Sequence, residues 1–339
     1  MTVVDGERER TKVIQQLQRK AIAELRDVPA DGPFCLVDFP DQRNVGDSAI
    51  WLGTTTYLRE HRGAKPGYVA SLRAFSEAAL RASVPEGPIV IHGGGNFGDL
   101  WPRHHGLREH LLERFPDREI VQLPQSIHFD RPEQAARTAR AIARHGRFRL
   151  FVRDQFSYEF ATTNFDCEVR LCPDMAFFLG ALERPGAPEV DVCYLMRTDK
   201  ERVLDAPAGR PEFTSRVVDW LTESRVSVQM HKLRGVARAV GGGCRDRIGL
   251  RRTWYDAVAR ARVARGCRLL SSGRVVITDR LHAHVLSLLL GIPHAVLDNS
   301  YGKLGRFLDV WTGDASGVHR ASSTDDAEGW AASVLSGAR

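Results

Sequence analysis

The segment "TDRLHAHVLSLLLGIPHAVLDN", residues 278–299, sets Asp279, Arg280, His282 and His284 at the head of an otherwise apolar run. Val275, Val276 and Ile277 precede it as a short run of β-formers. Leu281, Val285, Leu288 and Leu289 form one helical stripe, and Leu286 and Leu290 leave little solvated face, so the spacing predicts an interior helix over 281–290. The first turn of such a helix carries free amides and the positive end of its dipole, so an arginine there points to an anion site. His282, in the same turn, is placed to exchange a proton with what binds. His284 falls two residues on, on nearly the opposite side, and reads as structural. The plainer alternative is an ion pair from Arg280 to Asp279 or Asp174, with His282 a satisfied core histidine.

Similar polar groups close other apolar runs. Asn44, Gly46 and Asp47 follow "FCLVDFP"; His92, three glycines and Asn96 follow "GPIVI"; Gln125 and Ser126 follow "EIVQLP". Arg153 and Asp154 close "RFRLFV", and Asp174 closes "RLCP". Turn chemistry accounts for Gly, Asn, Asp and Ser, but not for Arg153, Arg280 and His282. Lys303 lies in a glycine-flanked loop after the strand ending at Asp298, where a flexible ammonium can reach a ligand oxygen. The run "HGGGN" has neither the G-x-G-x-x-G spacing of a dinucleotide fold nor the GK[ST] of a P-loop. Its narrower meaning is that another backbone, a sugar or a phosphate can approach residues without Cβ atoms.

These residues need a scaffold of strand ends, and the chain supplies one. A polar amphipathic helix is predicted over 8–26, then strand "FCLVDFP" and helix "AIWLGTTTYLREH". Short apolar strands go on alternating with helices, one of which begins near Asp154, so the fold class is α/β with parallel sheets covered on both sides. Prolines and a glycine at 183–190 mark a linker, dividing the chain into domains 1–184 and 185–339. The second series has strands "VDVCYLM", "VVITD" and "PHAVLD" and helices near 213–224, 253–265 and 281–290. Residues 233–253 are basic and glycine-rich without a period, and read as loop.

At 339 residues and 43% hydrophobic, the chain can bury a large core. The lack of a long apolar run or of a signal-like start makes a cytoplasmic protein the expectation. The six cysteines are scattered without zinc spacing and read as reduced packing residues; no metal or cofactor is expected. A net charge of +6 comes from 48 basic and 42 acidic residues interleaved along the chain, and only six of the basic ones are lysines. No nucleic-acid partner is expected: the arginine-rich 234–252 stretch contains no aromatic residue.

Taken in order, "NVGDSAIW", "VIHGGGNFGDLW", "LPQSIHF", "VRDQFSYEFA", "LCPDMAFFL" and "VITDRLHAHVLSLLLGIPHAVLDNSYGKLGRF" resemble the polysaccharide pyruvyl transferase family over residues 44–307. The resemblance implies two Rossmann-like domains in a GT-B-like arrangement with an interdomain cleft, the acceptor on the first domain and phosphoenolpyruvate on the second. It implies transfer of an enolpyruvyl-derived group to two hydroxyls of a sugar in a glycan or glycoconjugate precursor, leaving a pyruvate ketal and phosphate. Phosphoenolpyruvate is then a co-substrate rather than a cofactor.

By the same resemblance, Arg153, Arg280 and Lys303 match the family's basic donor-site positions, and His282 its "RLH" histidine. Guanidinium forks suit a carboxylate and a phosphate. His282 is the first choice for proton transfer, with Asp279 or Asp174 orienting it or helping as a base. Asn44, Asp47, Asn96 and Gln125 are placed to hydrogen-bond sugar hydroxyls, although Asn44 and Asp47 are also ordinary loop and cap residues. Residues 197–255 are silent on the acceptor's carrier. A lipid-linked acceptor would bring the protein to the inner membrane face.

Two other functions share the architecture. A nucleotide-sugar glycosyltransferase would need an acidic ribose contact in the second domain, for which no convincing residue is found. A non-catalytic carbohydrate-binding relative would lack at least one of Arg153, Arg280, His282 and Lys303, and all four are present.

Overall fold

The computed structural model describes residues 3–29, 31–198, 210–221, 246–298 and 302–337, together with 229, 230, 233–235, 237, 240 and 241. The first sheet holds β1 (Cys35–Phe39), β2 (Tyr68–Ser71), β3 (Ile89–Ile91), β4 (Gly94–Gly98), β5 (Ile120–His128), β6 (Phe148–Val152) and β7 (Glu168–Leu171). Their order is β2-β1-β3-β5-β6-β7, and β4 pairs with the far end of β5. The second holds β8 (Val190–Leu195), β9 (Ser215–Val218), β10 (Gly273–Thr278), β11 (His294–Leu297) and β12 (Val318–Ala321), in the order β12-β11-β10-β8-β9. All these pairings are parallel. The architecture is therefore two Rossmann-like sheets, each wound outward from a central strand and then back to the other side. Strand order reverses between β1 and β3 and between β8 and β10, and crevices open at such points.

The helices are α1 (Val3–Glu24), α2 (Val45–His61), α3 (Glu77–Ser83), α4 (Pro102–Arg114), α5 (Pro132–His145), α6 (Gln155–Asn164), α7 (Arg247–Ser271), α8 (Leu281–Leu290), α9 (Lys303–Trp311) and α10 (Thr324–Gly337). A 3-10 turn covers Met175–Leu179. Asp154 caps α6 by accepting from Ser157 N, which explains that helix's start. In α8 every residue from His282 to Leu290 is buried, the consequence of its apolar composition.

The two sheets share one core. Helix α2, with Val45, Ala49, Ile50, Trp51 and Leu52 all buried, packs against α7 from the second half of the chain. Gly266 of α7 permits the approach, since a Cβ there would lie 2.4 Å from Val45 Cγ1. Tyr255 stacks on Phe39 with ring centroids 3.8 Å apart, and Trp51 Nε1 donates to Asp256 Oδ1 at 2.9 Å. One apolar cluster consequently includes Leu36 and Val90 from one sheet and Cys193 and Val276 from the other.

Two sequence expectations need correction. The stretch 213–224 holds strand β9, not a helix: Val217 and Val218 are β-branched, and the strand pairs with β8 at the sheet edge. The stretch 233–253 is not a loop, since its described residues are helical except Asp246, which caps α7 by accepting from Gly249 N. Helix α7 is correspondingly longer than the 253–265 expected. The arginines in its sequence masked an apolar face, because their stems pack while their guanidinium groups reach backbone carbonyls, as Arg262 does to Pro40 O at 3.0 Å. The cysteines other than Cys244, which lies outside the described residues, are free thiols.

Several histidines are enclosed in this core. Burial lowers the pKa of His92, His105 and His294 to about 4, and it holds His284 well below the usual histidine range. His284 takes part in a chain, with Nδ1 2.8 Å from His294 Nε2 and Nε2 2.8 Å from Thr312 Oγ1. Unfolded, each titrates near pH 6.5. The unfolded chain therefore binds more protons than the folded one between about pH 6.5 and 4, and stability that is fully present above that window falls as pH drops through it. Urea midpoints measured against pH should fall steeply across this interval, and His92→Gln should remove part of the slope, on the order of 3 kcal/mol by pH 4.

Candidate active site

The carboxyl ends of both sheets open on one cavity of about 280 Å³. Helix α2 and strand β4 contribute Asp47, Gly95 and Asn96, and Arg153 follows β6. The second half contributes Arg197, Trp220, Arg280 and His282. A larger cavity of about 580 Å³ lies elsewhere on the seam, but its charged groups, Glu7, Arg10, Glu183 and Arg184, belong to α1 and the connecting segment rather than to strand ends.

Asp174 is the anchor on the first-domain side. It is fully buried, caps the 3-10 turn through Ala176 N at 2.8 Å, and accepts from Arg153 Nη1 at 2.6 Å. Burial alone would raise its carboxyl pKa, but His282 and Arg153 beside it hold it well below the usual carboxylate range. Arg153 also donates from Nε to Ser126 Oγ at 3.0 Å, and its backbone oxygen accepts from Trp311 Nε1 of α9 at 2.7 Å. Gly95 keeps the way to Arg153 open, because a Cβ there would approach Nη2 to 3.3 Å.

His282 reaches Asp174 across the seam. Its Nε2 lies 3.4 Å from Asp174 Oδ2, too loosely aligned for a hydrogen bond, so this buried nitrogen has no hydrogen-bond partner among the described residues. The ring packs on the first turn of α2, where Gly46 leaves room for it.

Arg280 pairs with neither Asp279 nor Asp174. Its Nη2 lies 2.8 and 2.9 Å from the two oxygens of Asp219, and its guanidinium carbon lies 5.8 Å from the centroid of the Trp220 ring. Asp219 also accepts from Thr198 N at 3.1 Å, which ties the ends of β8 and β9 to the arginine. Asp279 turns away to accept from Arg197 N at 2.9 Å, and burial raises its carboxyl pKa. Of the two candidates to orient His282, the structure brings Asp174 to it and not Asp279. Lys303 opens α9 instead of lying in the expected loop, because the run from Leu304 to Trp311 is amphipathic enough to continue as helix; its side chain lies outside the described residues, and the next residue, Leu304, lines the cavity.

The four residues expected on the opposite lip divide. Asn44 caps α2 through Gly46 N at 3.0 Å and donates to Asp47 Oδ2 at 2.9 Å, and both line the cavity. Asn96 lines it too, with Oδ1 held by Arg108 Nη2 at 2.6 Å. Gln125 is fully buried behind this wall and donates to Asn96 Oδ1 at 3.3 Å, so it does not reach the cavity. Residues the sequence did not single out complete the wall: Trp101 and His104 line it, and His104 Nδ1 lies 2.8 Å from buried Asp38 Oδ1.

The family profile described as polysaccharide pyruvyl transferase matches residues 44–301. The chain belongs to this family. Pyruvyl transferase 1 of Schizosaccharomyces pombe is 33% identical over 81% of this chain and 69% of its own length. EpsO of Bacillus subtilis, provisionally named a pyruvyl transferase, is 30% identical over 87% of this chain and 90% of its own. A functionally uncharacterised Klebsiella pneumoniae protein of known structure superposes with a TM-score of 0.61 at 17% identity, covering 91% of this chain and 99% of its own, which bears on the fold alone.

Family membership makes this protein a polysaccharide pyruvyl transferase acting on a sugar or polysaccharide. The matched span includes Arg153, Asp174, Arg280 and His282, so the cavity is the candidate active site. An alanine Cβ at position 46 would lie 2.5 Å from His282 Nδ1 and 2.7 Å from its Cβ. The Gly46→Ala variant is therefore expected to displace the imidazole and lower pyruvyl transfer by about 10²-fold. Turnover and Tm measured side by side check this; a variant as active as the parent would show that the ring's position is unimportant.

Proposed function

We propose that the cavity takes phosphoenolpyruvate and transfers its enolpyruvyl-derived carbon skeleton to two hydroxyls of a sugar in a glycan or glycoconjugate precursor, leaving a pyruvate ketal and phosphate. The observation that carries this reading is that Arg153, from the end of β6, and Arg280 and His282, from the start of α8, line one cavity of about 280 Å³. Arg43 and Arg197 line it as well. Four guanidinium groups around a cavity whose only lining carboxylate among the described residues is Asp47, with Asp174 and Asp219 set behind Arg153 and Arg280, suit a small acid with both a carboxylate and a phosphate, and a guanidinium fork meets either group through paired hydrogen bonds. The first turn of α8 adds the positive end of a helix dipole. Lys303 is assigned to the same donor group through the family motif.

In the proposed reaction, His282 delivers a proton to the methylene carbon as a first sugar hydroxyl attacks C2. Asp174 orients the imidazole and balances its charge. The second hydroxyl then replaces phosphate at C2 and closes the ketal ring. One hydroxyl proton is thereby accounted for in the new methyl group and the other in the released phosphate. Asn44, Asp47 and Asn96 are proposed to hold sugar hydroxyls, with Gln125 supporting Asn96 from behind. Asp279 is proposed to act by fixing the Arg197 backbone. The reading assigns no metal or other cofactor.

We place the reaction in the cytoplasm. No described helix is long and apolar enough to cross a membrane. A lipid-linked acceptor would require peripheral contact with the inner membrane face.

Phosphoenolpyruvate at about 100 times its Kd should stabilise the protein by about 2.7 kcal/mol, seen as a rise in Tm, while UDP-sugars should not. Arg280→Ala should abolish that rise. With a panel of sugar acceptors, phosphate release should accompany a mass gain for a pyruvate ketal, and His282→Ala should slow it by about 10²–10⁴-fold. Stabilisation by a nucleotide sugar and not by phosphoenolpyruvate would overturn this reading of the donor.

A further inference from the structure

The proposed reaction needs an acid at the methylene carbon and, in the same step, a base at the attacking hydroxyl. His282 cannot serve as both while it is giving up its proton. We propose that His104 is the catalytic base for the acceptor hydroxyl and that Asp38 is its positioning residue; the proposal rests on the reaction assigned above and adds the group that activates the sugar.

His104 stands in the first turn of α4 and lines the cavity from the first domain. Its Nδ1 lies 2.8 Å from Asp38 Oδ1, so Nδ1 carries the hydrogen and donates it, leaving the Nε2 lone pair for a ligand. No hydrogen bond to Nε2 occurs among the described residues.

Asp38 is built into the sheet for this contact. It lies near the carboxyl end of β1, 1% exposed, with φ of +66°, a left-handed conformation uncommon for a residue with a Cβ. Strand β1 bulges there: Val37 pairs with Ala70 and Phe39 with the next residue, Ser71, leaving Asp38 as an extra residue. Such conformations persist only where the surroundings over-determine them. Here Asn96 Nδ2 lies 3.4 Å and Arg108 Nη2 4.0 Å from Asp38 Oδ2. Arg108 also donates to the His104 backbone oxygen at 3.1 Å, so one buried cation supplies countercharge to the aspartate and fixes the histidine's backbone.

As the acceptor oxygen bonds to C2, its proton passes to His104 Nε2, while His282 gives a proton to the methylene carbon. The C2–O bond to phosphate breaks only when the second hydroxyl attacks, the electron pair leaving with phosphate and the second hydroxyl proton going to it. Between turnovers His104 releases its proton and His282 regains one through water.

His104→Ala and Asp38→Asn separate this role from a structural one, asparagine being a residue that tolerates the left-handed backbone. Both should lower kcat by about 10²–10⁴-fold, with KM for phosphoenolpyruvate and the Tm rise it causes changed by less than about threefold. Added imidazole should restore part of the rate of His104→Ala and none of that of Asp38→Asn. If Asp38→Asn proves unfolded by Tm, His104→Ala decides alone. Turnover of His104→Ala within a few-fold of the parent, failure of imidazole to restore any rate, or a raised KM with unchanged kcat, would overturn the assignment and leave the phosphoenolpyruvate reading standing. Absence of ketal from the unaltered protein would instead overturn that reading, and the base with it.

Discussion

A carboxylate closed off from water needs a cation beside it, and Asp174, paired with Arg153 and 3.4 Å from His282 Nε2, is where the two halves of this protein meet at their cavity. Leaving such a group unpaired costs several kcal/mol, so its partners are strongly constrained. Arg153 comes from the end of β6 in the same sheet, and His282 comes from the other domain. Each partner is fixed in turn from across the seam: Trp311 of α9 holds the Arg153 carbonyl, and Gly46 of α2 leaves the space that the His282 ring fills. Neither half alone would have the cavity.

The shared core extends that constraint over the whole interface. Separate domains that bury little between them move freely, whereas here α2 and α7 interlock through Gly266, Tyr255 and Trp51. Packing at interior density resists relative displacement. Charged side chains at the facing strand ends are thus held in place before any ligand arrives, which is the condition under which fixed charges contribute most to a reaction. Carboxylates outside the cavity lining complete the arrangement: Asp219 steadies Arg280, and Asp38 steadies His104.

Much of the scaffold was legible in the sequence. Alternating apolar strands and helices implied parallel sheets, and the apolar 281–290 stretch implied a buried helix, because both follow from local periodicity. Arg153, Arg280 and His282 drew notice because turn chemistry gives no reason for them at strand ends. Local pattern failed at β9, a short and largely exposed edge strand, and at the start of α7, whose face is read only against α2. Gln125 and Asp279 looked like site residues by position, but the Asn96 side chain and a backbone amide claim them. Asp38 and His104 were invisible because their contact joins positions 66 residues apart through a bulge that no composition signals.

By itself the sequence determined the α/β class, the interior character of α8, the family motifs and the strand ends that carry charge. Those properties depend on neighbours within a few residues, which is the range over which hydrophobic period and turn chemistry act. Only the tertiary structure decided which charges meet: Arg280 with Asp219 rather than its neighbour Asp279, Asp174 with His282, and Asp38 with His104. The physical reason is that a side chain's partner is set by strand order, register and the crossing of α2 with α7, and these emerge only when distant segments bury their apolar faces together.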